Sequence, residues 1–251
     1  MDVQKELHSA GESRVAKYRR LVVGKTGYAD LIRYELITLS STWVPGALGL
    51  FLRSFFYPWM TARCGKGVAF GTNVVLRHPN KIKIGDNVVV DDNCVIDAKG
   101  QENRGITINS NVFIGRNTII YCQNGNISIG ENANIGSNCQ VFSAGSVEIG
   151  KNVLIGAYTY LIGGGHGMAD PSLPIINQAR ISKGIRLEDN IWIGAGVKIL
   201  DGVIIGRDSV IGTGAVVNKD VAAYSIAAGL PAKIIGDRRN GKEVEHCSSG
   251  I

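Results

Sequence analysis

His166 stands in the stretch LIGGGHGMADPSLPIINQAR, residues 161–180, and is one of only four histidines in the chain. Imidazole titrates near neutrality. It can therefore accept a proton from a hydroxyl as that oxygen attacks an acyl group, which makes the residue suited to general-base chemistry. Asp170, four positions on, could orient the ring. Three glycines before the histidine and Pro171 and Pro174 after it mark a loop. His78, in LRHPNKI, reads as a turn residue, and His8 and His246 lie near the chain ends. A zinc centre of three imidazoles needs more histidines than the middle of the chain offers, so no metal is expected.

A loop of this kind needs a frame, and the composition says which. Thirty-three glycines against six prolines, few aromatics and many Val and Ile favour numerous short strands joined by tight turns. The net charge of +6 is uneven, with nine Lys/Arg against five Asp/Glu in residues 1–64. There is no basic stripe interleaved with aromatics, so nucleic-acid binding is not expected. A basic N-terminal segment suits an anionic membrane surface instead. The five cysteines form no CxxC, and Cys94 and Cys139 read as buried free thiols. The opening MDVQKELHSAGESR is polar and unlike a cleavable signal. Both features fit a reducing cytoplasm.

The frame itself is a six-residue rhythm. Blocks such as IGDNVV, VDDNCV, IGRNTI, IGSNCQ, IGKNVL, IGAGVK and IGRDSV place an aliphatic first, usually Gly second, often Asn or Asp fourth and a small residue fifth. A period of six fits neither a helix nor one long strand. It fits a short strand and a corner, repeated, with the aliphatic and the small residue inward. Asn or Gly takes the corner because both tolerate positive φ. Three blocks close one triangular coil of about 18 residues, so Ile84 to Val217 makes roughly seven coils stacked in parallel. The fold class is all-β, a parallel β-helix. Period alone does not set its hand, and the ordinary crossover rule favours a right-handed one.

Residues 1–62 lack the repeat. ESRVAKYRR and YADLIRYELITL have helical periodicity. Residues 43–60, WVPGALGLFLRSFFYPWM, are hydrophobic but too short and too interrupted to span a bilayer comfortably. They read as a helix across the open end of the prism, with interfacial membrane contact as the alternative. The chain thus divides into an N-terminal segment (1–62), a β-helix with an inserted loop at about 163–180 (63–236), and a solvated tail (237–251).

The stretch NIWIGAGVKILDGVIIGRDSVIGTGAVVNKDVAAYSIAAGLPAKIIG, residues 190–236, resembles the C-terminal signature of hexapeptide-repeat acyltransferases. It is most similar to the sugar O-acetyltransferases of the nodulation, galactoside/maltose and polysaccharide-decorating type. The resemblance runs from about residue 65 to 236. It implies a left-handed β-helix, acetyl-CoA as co-substrate and a homotrimer with active sites between subunits. It further implies His166 as general base on a sugar or glycan hydroxyl. The Ala195 N–H would serve as oxyanion donor. Ala195, Gly212, Thr213, Asn218, Lys219 and Lys233 would hold coenzyme A. Asn218 stands where the family has Thr, which removes a hydroxyl contact. Asn138 is an acceptor-site candidate, although a corner already explains its type. N-acetylation of an amino sugar and a non-catalytic scaffold remain the alternatives. A nucleotidyltransferase is not expected, because 62 residues leave no room for its nucleotide-binding domain.

Overall fold

The computed structural model describes residues 11–240; His8, His246, Cys247 and the tail from 241 lie outside the described residues. The chain winds into a left-handed triangular prism with three flat faces. Face A stacks seven strands from Arg63–Cys64 to Ile204–Ile205, and face C seven from Val75–Arg77 to Val216–Val217. Face B has nine, from Ala69–Phe70 to Lys233–Asp237. All pairs along the stack are parallel until the last, where Ser225–Ala228 meets Lys233–Asp237 antiparallel.

The register shows why the first position of each block is aliphatic. Ile84, Ile108, Ile129, Ile149, Leu187 and Ile205 lie opposite one another in successive coils of face A. They form one column, each at most 3% exposed. Burying such side chains contributes about 1.5–3 kcal/mol apiece. The corner prediction also holds: ten asparagines, from Asn73 to Asn190, adopt positive φ near 60°. Several bridge amide to amide along an edge, as Asn117 does to Asn138 at 3.2 Å.

The small fifth residue does more than fill space. Thr118, Cys139 and Thr159 each donate to the carbonyl of the position-two glycine one coil higher, Gly136, Gly156 and Gly194, at 2.9, 3.3 and 3.2 Å. These bonds pair carbonyls that would otherwise be buried unsatisfied. The four described cysteines are free. Burial pushes the Cys94 thiol up to about 11 and Cys122 to about 12.

The first coil would expose the carbonyl edge of its strands, and a helical cap closes it. Helix α1 (Arg14–Tyr18) runs into a wide turn (Arg19–Val23), followed by α2 (Tyr28–Ser41) and α3 (Gly46–Phe56). Arg53 Nε donates to Phe70 O, Tyr57 Oη to Val74 O and Tyr34 Oη to Leu76 O, at 2.8–2.9 Å. Residues 43–60 therefore pack across the open end, and their arginine is spent on backbone rather than left in solvent. His78 is the turn residue foreseen, with φ 52°. It is also buried between Asp97 Oδ1 (3.1 Å) and Arg20 O (2.9 Å), tying the cap to the second coil.

Candidate active site

After the strand Tyr160–Gly163 the chain leaves the prism at the edge between faces C and A. Gly164 permits the exit. Its φ is +145°, and a Cβ there would lie 2.5 Å from Ala144 Cβ. Gly165–His166 pairs antiparallel with Arg180–Ile181, so the loop is a hairpin with His166 opposite Arg180. His166 is exposed at its base.

Residues that the sequence did not single out hold this hairpin. The buried Gln178 amide donates to the carbonyls of Asp170 and Leu173, folding the loop on itself. Asp201, one coil higher, accepts from Lys183 N (2.7 Å) and Gly184 N (2.9 Å) and fixes the return. Arg180 reaches down to Gln123, whose amide oxygen accepts from both terminal guanidinium nitrogens at 2.6 and 3.1 Å. Only the loop geometry brings these partners together, so no local motif announces them.

Asp170 lies in the exposed part of the loop. Its Oδ1 accepts from the Ser172 hydroxyl (2.6 Å) and backbone N–H (2.9 Å), and these bonds hold the carboxyl below its ordinary range. Among the described residues no hydrogen bond joins it to His166.

The candidate cofactor residues fall into two groups on different edges. Ala195 and Thr213 occupy the edge between faces B and C, one coil apart, above Ala157. Among the described residues the N–H groups of Ala157, Ala195 and Thr213 have no hydrogen-bond partner. They form a short ladder of free donors. Glycine is what lets each coil's corner sit so close to the next, since a Cβ on Gly194 would lie 2.6 Å from Thr213 N. Gly212 opens the same corner, and its Cβ would lie 2.8 Å from Ala228 Cβ. Asn138 belongs to this edge as well, at φ 57° in the corner ladder.

Asn218 and Lys219 follow face C and stand on the His166 edge, two coils above the loop. Lys233 opens the final strand on face B and is exposed. Face C lies between the two edges. Its outward side chains include the half-buried, largely apolar Tyr121, Phe142, Tyr160, Ile162 and Leu200, beside exposed Arg77, Gln140 and Lys198. Tyr121 and Tyr160 share a hydroxyl bond of 3.1 Å, and burial together with that bond raises the Tyr121 pKa. Face A, by contrast, shows Lys83, Thr107, Ser128, Glu148 and Arg186.

Residues 184–219 match the family described as bacterial transferase hexapeptide (six repeats), and residues 126–162 match the hexapeptide repeat of succinyl-transferase. The chain carries the hexapeptide repeat that both of these family models describe. A probable acetyltransferase of Mycobacterium tuberculosis is 31% identical over 128 residues, covering 51% of this chain and 43% of that protein. The match thus spans less than half of the relative's length. Among solved structures, galactoside acetyltransferase in complex with coenzyme A is 24% identical, with a TM-score of 0.50 over 85% of this chain and 84% of that one. The polysialic acid O-acetyltransferase OatWY is 23% identical (TM-score 0.52, 71% and 82%). A variant of AntD, an N-acyltransferase from Bacillus cereus in complex with a dTDP-amino sugar and coenzyme A, is 20% identical (TM-score 0.52, 79% and 91%). At these identities the hexapeptide-repeat protein shares with them a fold.

Proposed function

We propose that this protein is an acetyl-CoA-dependent O-acetyltransferase that acetylates a hydroxyl of a sugar or glycan precursor, with His166 as general base. The observation that carries the reading is the placement of complementary groups on two edges of one prism. The imidazole stands on one edge and a ladder of free N–H donors on the other, at least roughly 10 Å apart across strands of three to four residues. A single chain cannot bring them together. Neighbouring copies can, when the His166 edge of one faces the donor edge of the next, and three copies close the ring. The apolar face C and the exposed Leu173, Ile175 and Ile176 of the loop support that homotrimer.

The residues fit the co-substrate. Free backbone N–H groups suit the amide-bearing pantetheine arm, glycines leave room for it, and exposed Lys219 and Lys233 suit its phosphates. The thioester supplies an activated acetyl group. His166 takes the acceptor hydroxyl proton as that oxygen bonds to the carbonyl carbon, and the Ala195 N–H stabilises the charge that builds on the carbonyl oxygen. His166 then returns the proton to the departing thiolate. Four free cysteines and this co-substrate support a cytoplasmic location. Among the described residues no helix is long and apolar enough to cross a membrane.

The test is release of free thiol from acetyl-CoA with a panel of sugars and amino sugars, followed by locating the acetyl group. Ester formation that disappears in His166→Ala is expected. Amide formation would replace the hydroxyl acceptor with an amine, and a monomer that turns over acetyl-CoA would overturn the shared site.

A further inference from the structure

The cap does its structural work with one side of each helix. Tyr34, Ile37 and Ser41 of α2, and Gly49 and Arg53 of α3, are buried against the prism or each other. Each helix nonetheless carries a second apolar stripe on its far side. On α2 and the turn after it, Ile32, Leu36, Leu39 and Trp43 recur at steps of four, three and four and are each more than half exposed. On α3 and its continuation, Leu48, Phe51, Phe55 and Trp59 do the same. The aromatic part is continuous, with ring centroids 6.3 Å apart for Phe51 and Phe55 and 5.3 Å for Phe55 and Trp59. A surface helix needs one apolar stripe, and a second of this size marks a docking face.

Charge identifies the occupant. Residues 11–64 hold eight Lys/Arg against three Asp/Glu, an excess of five in a chain whose net charge is +6. Of these bases only Arg53 is buried. Pairing this face with the same face of a second copy would set like charges against each other. Lys25 and Arg33 share the single carboxylate of Asp30 at 3.0 and 3.1 Å, so that cluster stays net positive. A surface that is apolar beneath and negative above meets both features, and exposed Trp and Phe on a basic segment suit the boundary between lipid headgroups and acyl chains. α3 has 11 residues, so it would lie in that boundary rather than cross it.

We propose that the outer face of α2 and α3 docks the protein onto an anionic lipid bilayer. The proposal extends the membrane contact foreseen for residues 43–60 to a face that begins on α2. It rests on the acyltransferase reading only in one respect: a parallel trimer would present three caps at the same end of the stack, which multiplies a weak contact.

Co-sedimentation of the full chain with vesicles of phosphatidylcholine, alone or mixed with phosphatidylglycerol, tests it. The protein should pellet with the mixed vesicles and be released as salt rises from about 0.1 to 0.5 M. Phe51→Glu/Phe55→Glu should weaken that binding at least tenfold. Lys25→Gln/Arg33→Gln should weaken it less and flatten the salt dependence. Because these side chains face outward, melting temperature and thiol release with a soluble acceptor should stay at wild-type values, which separates this proposal from the catalytic one. Wild-type protein that stays in the supernatant with both vesicle types overturns the proposal. So does equal binding to neutral and anionic vesicles. A drop in oligomeric state in Phe51→Glu/Phe55→Glu, without vesicle binding by the wild type, would assign the face to contacts between copies.

Discussion

The edge between faces B and C and the edge between faces C and A follow the same six-residue rule, yet only one keeps it. The first is unbroken: a tight corner repeats coil after coil, and in the upper coils its yield, among the described residues, is the unbonded N–H groups of Ala157, Ala195 and Thr213. The second is interrupted after Gly163, and its yield is a side chain, His166. A regular stack can offer only backbone along an edge, because its side chains are already committed to core or corner. Presenting an imidazole requires leaving the repeat, and with it the hydrogen bonds that neighbouring coils supply. Gln178 and Asp201 replace those bonds.

If the interrupted edge holds the base, His166→Ala should show the largest effect. A fall in kcat of about 10²–10⁴-fold is expected, corresponding to about 3–5 kcal/mol. Coenzyme A affinity and melting temperature should change little, since the ring is exposed and outside the aliphatic column. Steady-state kinetics on the folded trimer decides this, and activity within threefold of wild type would remove His166 from the chemistry.

On the unbroken edge the corresponding change is Gly194→Ala. The new Cβ would meet Thr213 N at 2.6 Å, so the corner must shift and the donor ladder with it. A loss of about 1–3 kcal/mol in stability, read by denaturant titration, should accompany at least a tenfold fall in kcat/KM for acetyl-CoA. Retention of both values would mean the close stacking of corners is not what the glycine serves. Lys233→Ala should be milder, raising KM for acetyl-CoA several-fold while kcat holds. An unchanged KM would place the phosphates elsewhere. Smallest of all should be Asp170→Asn. Its carboxylate faces Ser172, so activity within about threefold of wild type is expected, and a hundredfold loss would show that it turns to His166 when substrate binds.

Much of this comparison can be read from residue types. The aliphatic first position, the corner asparagines and the broken rhythm around His166 all reflect local rules, in which each coil repeats the constraints of the one before. The two edges were harder to see, although counting would have helped. Ala195 and Thr213 are 18 residues apart, a full coil, and share an edge; Thr213 and Lys219 are six apart and cannot. Ala195, Gly212, Thr213, Asn218 and Lys219 share a signature stretch but not a phase, and so not an edge. Gln178, Arg180 and Asp201 were not legible at all, because their partners are loop backbone or a distant corner. The Thr118 and Thr159 hydroxyls looked merely small, and only the spacing between coils reveals the carbonyls they reach.

The strand order of face A also converts chain length into distance. Five strand-to-strand steps separate Arg63–Cys64, beside the cap, from Ile185–Leu187, where the loop rejoins the prism. At about 4.8 Å per step the loop stands roughly 24 Å above the cap. The stack is thus a ruler with a fixed graduation. A cap resting on lipid would hold His166 well clear of the headgroups, beyond the reach of a sugar attached directly to the bilayer. With the stack upright on lipid, a glycan several residues long would be needed to raise a hydroxyl to that height, and removing one coil would lower the mark by a single graduation.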